Sequence, residues 1–361
     1  MERDEFFMHR ALKLAEKGRG YTSPNPMVGA VLVKDGEIVG EGFHKKAGEP
    51  HAEILALKQA GERAQGAELY VTLEPCSHYG RTPPCAEAIV EAGIKRVIAA
   101  MQDPNPMVAG RGIKRLREAG VEVTLGVMEE EARKLNEVFV KYITSKRPFV
   151  IGKIAQSLDG KIALAAGKSR WITGEPARIR VHELRSWYDA VMVGIGTVLA
   201  DDPLLTCRLP GENKNPVRIV VDSAAKIPLD ARMLKCGGRV ILAVTEMADR
   251  DKIRVLKENG VDVIETRSED GKVNLAQLFE ILGNMGITGI LVEGGSGLLS
   301  SIVRQNLMDK LLIFLAPLLI GGDGLSSIGR LTIDDLKEVP RFEIKSIEQV
   351  GQDLMLEAYP I

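Results

Sequence analysis

The chain has few cysteines, almost no net charge and no long hydrophobic run. Four cysteines among 361 residues are too few for a disulfide framework. A formal net charge of −1 provides no basic field for a polynucleotide backbone, so we expect no nucleic-acid partner. The charged N-terminus lacks the apolar region of a signal peptide, and no apolar run is long enough for a bilayer span. We therefore expect a cytoplasmic protein without a membrane partner.

The remaining composition is that of an ordinary globular protein, with 45% hydrophobic and 27% charged residues. A chain of 361 residues exceeds one typical hydrophobic core, which predicts two domains. The polar segment 144–148 ends in proline and is a suitable linker. We therefore expect one domain over residues 1–145 and a second over residues 146–361.

Helix and strand patterns alternate in both halves of the chain. In the first half we expect helices over residues 6–17, 51–60, 83–91, 113–118 and 129–142, and strands over 28–33, 37–43, 69–73, 96–101 and 121–125. In the second half we expect strands over residues 149–155, 190–193, 217–221, 240–244, 261–264, 289–292 and 311–316, and helices over 176–187, 249–259, 275–285 and 298–304. This alternation predicts an α/β protein whose second half contains a mostly parallel sheet.

One group of residues in the first half has the chemistry of a zinc site: His51, Glu53, Cys76 and Cys85. One imidazole and two thiolates suit zinc, and three protein ligands leave a fourth position for water. On a helix, residues two apart diverge by roughly 200°, so His51 and Glu53 are not expected to be equivalent ligands. We expect His51 on the metal and Glu53 beside the water, where a carboxylate can move protons.

The local sequence supports Cys85 as a ligand but leaves an alternative open. Thr82 is expected to cap a helix whose first positions are Pro83 and Pro84, which puts Cys85 in the first turn. A helix N-terminus favours the thiolate form that binds metal. The alternative is a closed structural zinc site in which His78 supplies a fourth ligand.

Two glycine-rich turns follow predicted strands of the second half. Residues 293–297 precede a predicted helix, so their backbone N–H groups could hold a phosphate. Residues 194–197 have a similar position after an earlier strand. Each turn by itself is equally compatible with a tight turn, but two at strand carboxyl ends favour a ligand crevice.

The first half resembles the cytidine-deaminase superfamily signature, H-x-E followed by P-C-x-x-C, through His51-Ala52-Glu53 and Pro75-Cys76. One departure is that eight residues, rather than two, separate the cysteines. The run 72–85, together with Asn25-Pro26 and 103–106, is similar to the riboflavin-biosynthesis deaminase. Beyond the linker, its reductase partner is resembled by residues 157–161, 171–173, 194–198, 200–203 and 292–295. The whole chain therefore resembles the bifunctional deaminase/reductase family.

This resemblance implies a cytidine-deaminase-like three-layer α/β/α domain followed by a dihydrofolate-reductase-like α/β domain. The first domain would use zinc to deaminate 2,5-diamino-6-ribosylamino-4(3H)-pyrimidinone 5′-phosphate by hydrolysis. The second would use NADPH to reduce the ribosyl group of 5-amino-6-(5-phosphoribosylamino)uracil to ribityl. A homo-oligomer is also implied.

The resemblance further implies roles for individual residues. Zinc would be held by His51, Cys76 and Cys85, with Glu53 as the catalytic residue. The deaminase substrate would contact Asn25, His44 and Arg81. NADPH would contact Ala155, Trp171, Thr197, Asp201, Ser223, Gly295, Ser296 and Gly297. The reductase substrate would contact Ser169, Arg185, Leu205, Arg208 and Glu293.

Several of these residues also have plainer interpretations. The arginines suit a 5′-phosphate through bidentate contacts, but surface ion pairs would use them equally well. Trp171 could simply be a buried tryptophan, and Arg81 a solvated charge. Lys153 and Asp201 are both candidates for proton handling in the reduction.

Two other function classes remain open at this point. One is a deaminase for another base or nucleoside, joined to an unrelated reductase. The other is a zinc-stabilised binding module without activity. Assays with free cytidine, guanine and adenosine distinguish the first, and a Glu53→Gln variant distinguishes the second.

Overall fold

The computed structural model describes residues 2–77, 84–211 and 214–361. The chain divides into two compact units, Met1–Lys146 and Arg147–Ile361. Within the described part of the chain, every helix is too short or too polar to cross a membrane.

The first unit contains a five-stranded sheet and six α-helices among its described residues. In chain order the elements are α1 (Glu2–Glu16), β1 (Gly29–Lys34), β2 (Glu37–Phe43), α2 (Ala52–Ala60), β3 (Glu68–Val71), α3 (Cys85–Glu91), β4 (Arg96–Ala99), α4 (Arg111–Glu118), β5 (Glu122–Leu125), α5 (Glu129–Leu135) and α6 (Glu137–Ser145). The strand order is β2-β1-β3-β4-β5. Strand β1 is antiparallel to both of its neighbours, whereas β3, β4 and β5 are parallel.

Glycines in β1 and β2 let helices approach the two faces of this sheet closely. A Cβ atom on Gly29 would stand 2.0 Å from the carbonyl oxygen of Ala11 in α1. A Cβ atom on Gly42 would stand 2.2 Å from the carbonyl oxygen of Ala52 in α2. Gly42 pairs with Ala30, the neighbour of Gly29, and successive residues of a strand face opposite sides. Helices α1 and α2 therefore cover opposite faces, which gives the three layers that the family resemblance implies.

The predicted helix over residues 129–142 is wrong in one respect, because it is two helices separated at Asn136. This residue is 1% exposed. Its side chain accepts a hydrogen bond from the Met27 N–H at 2.8 Å and donates one to the Met27 carbonyl at 2.9 Å. The amide side chain of Asn136 thus forms both a donor and an acceptor hydrogen bond with the backbone of Met27, as a neighbouring strand would. The helix is interrupted at this residue.

The predicted start of the helix over residues 83–91 is also wrong. Helix α3 begins at Cys85, and Pro84 is its N-cap residue with an extended ψ of 140°. An extended residue cannot belong to the first turn, so the helix is two residues shorter than expected. Thr82, predicted as the cap, lies outside the described residues.

The second unit is built on a nine-stranded sheet. Its elements are β6 (Phe149–Ser157), β7 (Lys161–Ala163), α7 (Glu175–Trp187), β8 (Ala190–Gly194), α8 (Ile195–Asp201), β9 (Val217–Val221), α9 (Arg232–Lys235), β10 (Val240–Thr245), α10 (Arg250–Glu258), β11 (Asp262–Thr266), β12 (Ser268–Glu269), β13 (Lys272–Val273), α11 (Leu275–Asn284), β14 (Gly289–Val292), α12 (Ser296–Arg304), β15 (Lys310–Ala316), β16 (Leu325–Ser326), β17 (Phe342–Val350) and β18 (Asp353–Pro360). The order in the large sheet is β11-β10-β9-β8-β14-β6-β15-β18-β17.

Seven neighbouring strands of this sheet, from β11 to β15, are parallel, as the sequence predicts. The antiparallel strands β18 and β17 extend it at one edge and were not predicted. Seven consecutive residues of β17 are exposed, so this strand has no alternation of buried and exposed positions to reveal it. The parallel arrangement places the carboxyl ends of β8, β9, β10 and β14 on one edge.

Candidate active sites

The structure brings His51, Cys76 and Cys85 together in the first unit. His51 is the N-cap residue of α2, Cys76 lies in the segment after β3, and Cys85 is the first residue of α3. The His51 Nδ1 atom is 3.3 Å from Sγ of Cys85 and 3.7 Å from Sγ of Cys76. All three ligand atoms lie within 4.8 Å of one another. In the part of the chain that the structure describes, this is the one such group of three potential metal ligands.

The start of α3 stabilises a thiolate on Cys76 rather than on Cys85. The backbone N–H of Cys85 donates to Sγ of Cys76 at 3.3 Å. Hydrogen bonds from the Cys85 thiol and then from His51 lower the pKa of Cys76 to about 4. Donation to Cys76, together with burial, raises the pKa of Cys85. The N-terminus of α3 therefore stabilises the Cys76 thiolate directly, and the expectation that Cys85 binds metal as a thiolate stays a prediction.

Glu53 lies beside this cluster and is almost entirely buried, with 3% of the residue exposed. Burial raises the pKa of its carboxyl group. Its Oε2 atom has no hydrogen-bond partner among the described residues. A buried carboxyl oxygen without a partner is costly, so it is available to a ligand or a water molecule.

Asn25 and His44 are brought to the same region. Nε2 of His44 is 3.2 Å from Nδ2 of Asn25, and Nδ1 of His44 is 3.3 Å from the carbonyl oxygen of Pro50. A carbonyl can only accept, which assigns the proton of His44 to Nδ1. The His44 ring also meets the His51 ring edge to face, with centroids 5.5 Å apart. Arg81 and His78 lie outside the described residues.

Sequence reasoning missed Glu74, whose side chain binds backbone groups next to the segment that carries Cys76. Its carboxylate is 5% exposed and accepts hydrogen bonds from four backbone N–H groups. These donors belong to Asp103, Gly110, Gly112 and Ile113, at 2.8–3.2 Å. The position of Glu74, two residues before Cys76, was the available signal.

In the second unit, Glu293 forms the centre of a buried charge cluster. Arg185 donates to it in a bidentate arrangement at 2.6 and 2.9 Å, and Nζ of Lys153 lies 3.2 Å from Oε2. The three side chains are 6%, 12% and 14% exposed, respectively. Burial acts to raise the pKa of Glu293, but the charges of Arg185 and Lys153 outweigh it and hold the pKa at about 2.

Arg208 is connected to this cluster by His182, a residue that sequence reasoning missed. The backbone N–H of Arg208 donates to Nδ1 of His182 at 3.3 Å. Burial, and then the charges of Arg185 and Arg208, lower the pKa of His182 to about 4. His182 precedes Arg185 by three residues on α7, a spacing that places both on one face and could have revealed it. Leu205, buried with φ of 53°, precedes Arg208 in the same segment.

A cavity of about 680 Å³ lies at the carboxyl ends of β8 and β9. Ser223 and Gly297, two of the predicted NADPH contacts, line it. The two glycine-rich turns meet nearby, because the Gly295 N–H donates to the hydroxyl of Thr197 at 3.2 Å. The predicted crevice is therefore present.

The other predicted NADPH and substrate contacts are more dispersed. Trp171 is 67% exposed, with the Arg178 guanidinium 4.7 Å from its ring centroid, so the interpretation of a buried tryptophan is wrong. It lines a different cavity, of about 520 Å³, beside the start of α7. Ala155 lies in β6 opposite Phe314, and the Asp201 carbonyl accepts a hydrogen bond from Arg170. Ser296 is the first residue of α12, and Ser169 lies half-buried before Trp171.

Comparison with known proteins assigns a family to each half of the chain. The family described as cytidine and deoxycytidylate deaminase zinc-binding region matches residues 1–101, and the RibD C-terminal domain family matches residues 148–356. The riboflavin biosynthesis protein RibD of Aquifex aeolicus is 47% identical over 98% of this chain and 98% of its own length.

Two solved structures are similar over the whole chain. RibD of Acinetobacter baumannii has a TM-score of 0.91 and 40% identity, covering 100% of this chain and 99% of the other. A diaminohydroxyphosphoribosylaminopyrimidine deaminase/5-amino-6-(5-phosphoribosylamino)uracil reductase from Thermotoga maritima has a TM-score of 0.87 and 40% identity, with the same coverage.

Fold and sites together define a zinc-binding deaminase joined to a nicotinamide-dependent reductase. The chain belongs to the RibD family of riboflavin biosynthesis proteins. It is a bifunctional enzyme, a hydrolase in its deaminase activity and an NADPH-dependent oxidoreductase in its reductase activity. The resemblance drawn from the sequence is confirmed, and its substrates are phosphorylated pyrimidines of the riboflavin pathway.

Proposed function

We propose that the first unit hydrolyses the exocyclic 2-amine of 2,5-diamino-6-ribosylamino-4(3H)-pyrimidinone 5′-phosphate and releases ammonia. The second unit then reduces the ribosyl group of 5-amino-6-(5-phosphoribosylamino)uracil to ribityl with NADPH. The observation that carries the first assignment is the convergence of one imidazole and two thiols beside a buried carboxyl group with a free oxygen.

The residues of the first unit fit zinc. Zinc bonds of 2.0–2.3 Å in a tetrahedron put neighbouring ligand atoms about 3.5 Å apart, and Nδ1 of His51 is 3.3 and 3.7 Å from the two sulfurs. His51, Cys76 and Cys85 would hold the metal and leave one position open. Bound zinc would supply Lewis-acid activation of a water molecule. The low pKa of Cys76 matches the thiolate form that a metal requires.

Glu53 is assigned the proton transfers of the hydrolysis. Its burial raises its pKa, which brings the carboxyl group closer to a working range at neutral pH. Glu53 accepts a proton from the attacking water and delivers it to the leaving amine nitrogen. Asn25 and His44 hold the pyrimidine, since their polar atoms meet beside His51. Arg81 is assigned to the substrate as well, on the family resemblance alone.

The second unit is assigned the reduction. Arg185, Arg208, Leu205 and Ser169 hold the phosphorylated substrate, and Glu293 fixes the orientation of Arg185. NADPH is assigned to the crevice at Thr197, Ser223 and the Gly295, Ser296 and Gly297 turn, with Ala155, Trp171 and Asp201 as further contacts.

The transferred hydride comes from the cofactor, so the protein mainly positions the two rings. Lys153 is the better placed of the two candidates for proton handling, because its ammonium group is in the charge cluster, 3.2 Å from Glu293. We further propose a homo-oligomer, on family resemblance. Cytoplasmic location remains a prediction from the sequence.

Replacement of Glu53 by Gln tests the deaminase assignment. The variant is expected to retain zinc and to release ammonia about 10²–10⁴-fold more slowly from the diaminopyrimidine ribotide. Its NADPH oxidation with the deaminated substrate should be unchanged. Glu62→Gln, an exposed substitution in the short helix after α2, is the matched control. Undiminished ammonia release from Glu53→Gln would refute the role of Glu53, and absence of zinc from freshly prepared native protein would refute the metal site.

A further inference from the structure

Asn136, which separates α5 from α6, is held in place by both helices. Its backbone N–H donates to the Ala132 carbonyl at 3.1 Å, and its own carbonyl accepts the Val140 N–H at 2.9 Å. The residue is buried. Both polar atoms of its side chain bind Met27, at 2.8 Å from the N–H nitrogen and 2.9 Å from the carbonyl oxygen. Asn136 therefore fixes the backbone of residue 27 from a rigid base.

Met27 belongs to a segment that has no regular secondary structure of its own. Residues 21–28, which precede β1, form neither a helix nor a strand. Such connecting segments move more than the elements beside them, so their geometry depends on individual hydrogen bonds. The Val28 carbonyl accepts the His44 N–H at 2.9 Å, which holds the end of the segment next to β1. The two hydrogen bonds from Asn136 hold the residue before it.

The same segment carries Asn25, two residues before Met27. Nδ1 of His44 carries the ring proton, so its Nε2 atom accepts a hydrogen bond from the Asn25 amide at 3.2 Å. The amide has a second N–H and a carbonyl oxygen with which to bind a ligand. The His44 ring in turn meets the ring of His51, one of the predicted zinc ligands. The direction of the Asn25 amide depends on the backbone of its segment, and that backbone is fixed by Asn136.

We propose that Asn136 is a positioning residue of the deaminase, which holds the segment so that Asn25 meets the pyrimidine. The inference rests on the proposed function, in which Asn25 and His44 bind the substrate. Asn136 acts through Met27, and its loss weakens the binding of substrate and transition state alike. Such a loss raises KM and leaves kcat unchanged.

Steady-state kinetics of ammonia release test this role in the full-length, zinc-loaded protein, with the diaminopyrimidine ribotide as substrate. For Asn136→Ala we expect KM to rise about tenfold, the value of one hydrogen bond, and kcat to change less than about twofold. Zinc content and NADPH oxidation by the second unit should stay native. Thr144→Val is the matched control, because it removes side-chain hydrogen bonds that stay within α6, and its KM should be native.

A double-mutant cycle separates positioning from general support of the fold. If Asn136 acts through Asn25, KM of the Asn25→Ala, Asn136→Ala double variant should equal that of Asn25→Ala within about twofold. The inference is overturned by increases in KM that multiply in the double variant, and by a native KM in Asn136→Ala with or without a loss of kcat or zinc. A native KM in Asn25→Ala would overturn the proposed contact of Asn25 with the substrate, and the inference with it, so the two failures are distinguishable.

Asn136→Asp is the second variant, which keeps the test decisive if Asn136→Ala does not fold. Its side chain has nearly the same shape and keeps an acceptor for the Met27 N–H, but a carboxylate cannot donate to the Met27 carbonyl. KM should rise in this variant as well, with native zinc content. A native KM in folded Asn136→Asp would show that the hydrogen bond to the Met27 carbonyl does not position Asn25, and would overturn the inference.

Discussion

The backbone N–H of Gly112 donates a 2.8 Å hydrogen bond to Oε1 of Glu74, two residues before a predicted zinc ligand. Three more backbone N–H groups, from Asp103, Gly110 and Ile113, complete the set around this carboxylate. Glu74 thus ties the first turn of α4 to the chain that carries Cys76. We therefore expect this contact to position the metal cluster, although Glu74 is not itself one of the predicted ligands.

Glu74→Gln is therefore expected to destabilise the first unit. An amide nitrogen cannot accept hydrogen bonds, so two of the four backbone donors lose their partner in a buried place. At about 1–3 kcal/mol for each of these two unsatisfied groups, the free energy of unfolding should fall by about 2–6 kcal/mol. Urea unfolding followed by far-UV circular dichroism measures this. Glu118→Gln, the same change at an exposed position of α4, should alter it by less than about 0.5 kcal/mol; equal effects of the two would contradict the role of Glu74.

Gly112→Ala tests the same contact from the side of the helix. A Cβ atom at Gly112 would stand 1.9 Å from the carbonyl oxygen of Pro75, so the chain next to Cys76 must move. Displacement of a supporting contact typically weakens a metal site about 10–100-fold. We expect a loss of zinc affinity in this range, measured by competition with a chelator. Gly322→Ala, where a Cβ atom meets nothing within 4 Å, is the control and should retain native affinity. Native affinity in Gly112→Ala would show that the approach of α4 does not position Cys76.

The metal cluster could be predicted because its combination of residue types is unusual outside metal sites. A histidine and a carboxylate two residues apart, followed by two cysteines beside prolines, favour zinc, and the structure brings His51, Cys76 and Cys85 within reach of one ion. Glu74 could not be predicted in the same way. Its four donors lie 29 to 39 residues further along the chain and are backbone groups, which carry no sequence signal.

Whether a strand could be predicted depended on how deeply it is buried. Buried parallel strands such as Gly289–Val292 are continuous apolar runs, so their positions follow from composition alone. Phe342–Val350 pairs with one neighbour at the edge of the sheet and is almost entirely exposed, so nothing marks it as a strand.

The predicted helix over residues 129–142 is interrupted at Asn136, because the long-range hydrogen bonds of Asn136 with Met27 outweigh the local helical pattern.

The charge cluster of the second unit leads to a prediction about Glu293→Gln. Removal of the carboxylate leaves Arg185 and Lys153 partly buried without their counter-charge. Breaking such a cluster at one member typically costs about 3–5 kcal/mol. We expect the free energy of unfolding of the second unit to fall by about this amount at neutral pH. Glu258→Gln, a charge removal at the exposed end of α10, is the control.

The pH dependence of the stability difference between native protein and Glu293→Gln provides a second, independent check. The pKa of Glu293 is held at about 2, below its ordinary value of 4.5. Its contribution to stability is therefore fully present above pH 4.5 and is lost as pH falls toward 2, when the carboxyl group protonates in the folded protein. The stability difference between native protein and Glu293→Gln should narrow by about 3 kcal/mol over this interval. A difference independent of pH would mean that folding leaves the pKa of Glu293 unchanged.

His182 provides a direct report on the proposed phosphate site between Arg185 and Arg208. Burial and these two positive charges lower its pKa to about 4, so it is neutral at neutral pH. Its Nδ1 atom accepts a hydrogen bond from the backbone N–H of Arg208, which leaves the ring proton on Nε2. A phosphate group bound to the two arginines would offset their charge. The pKa of His182 should therefore rise when phosphate binds.

We expect a titration of His182 by NMR to have its midpoint near pH 4 in the free protein and at a higher pH with saturating inorganic phosphate. Arg208→Gln should raise the midpoint without ligand, because it removes one of the charges that lower it, and should abolish the response to phosphate. The His182 signal is assigned by its loss in His182→Gln. Suppose that Arg208→Gln raises the midpoint but phosphate leaves the midpoint of native protein unchanged. The two arginines would then lower the pKa of His182 without binding the substrate phosphate.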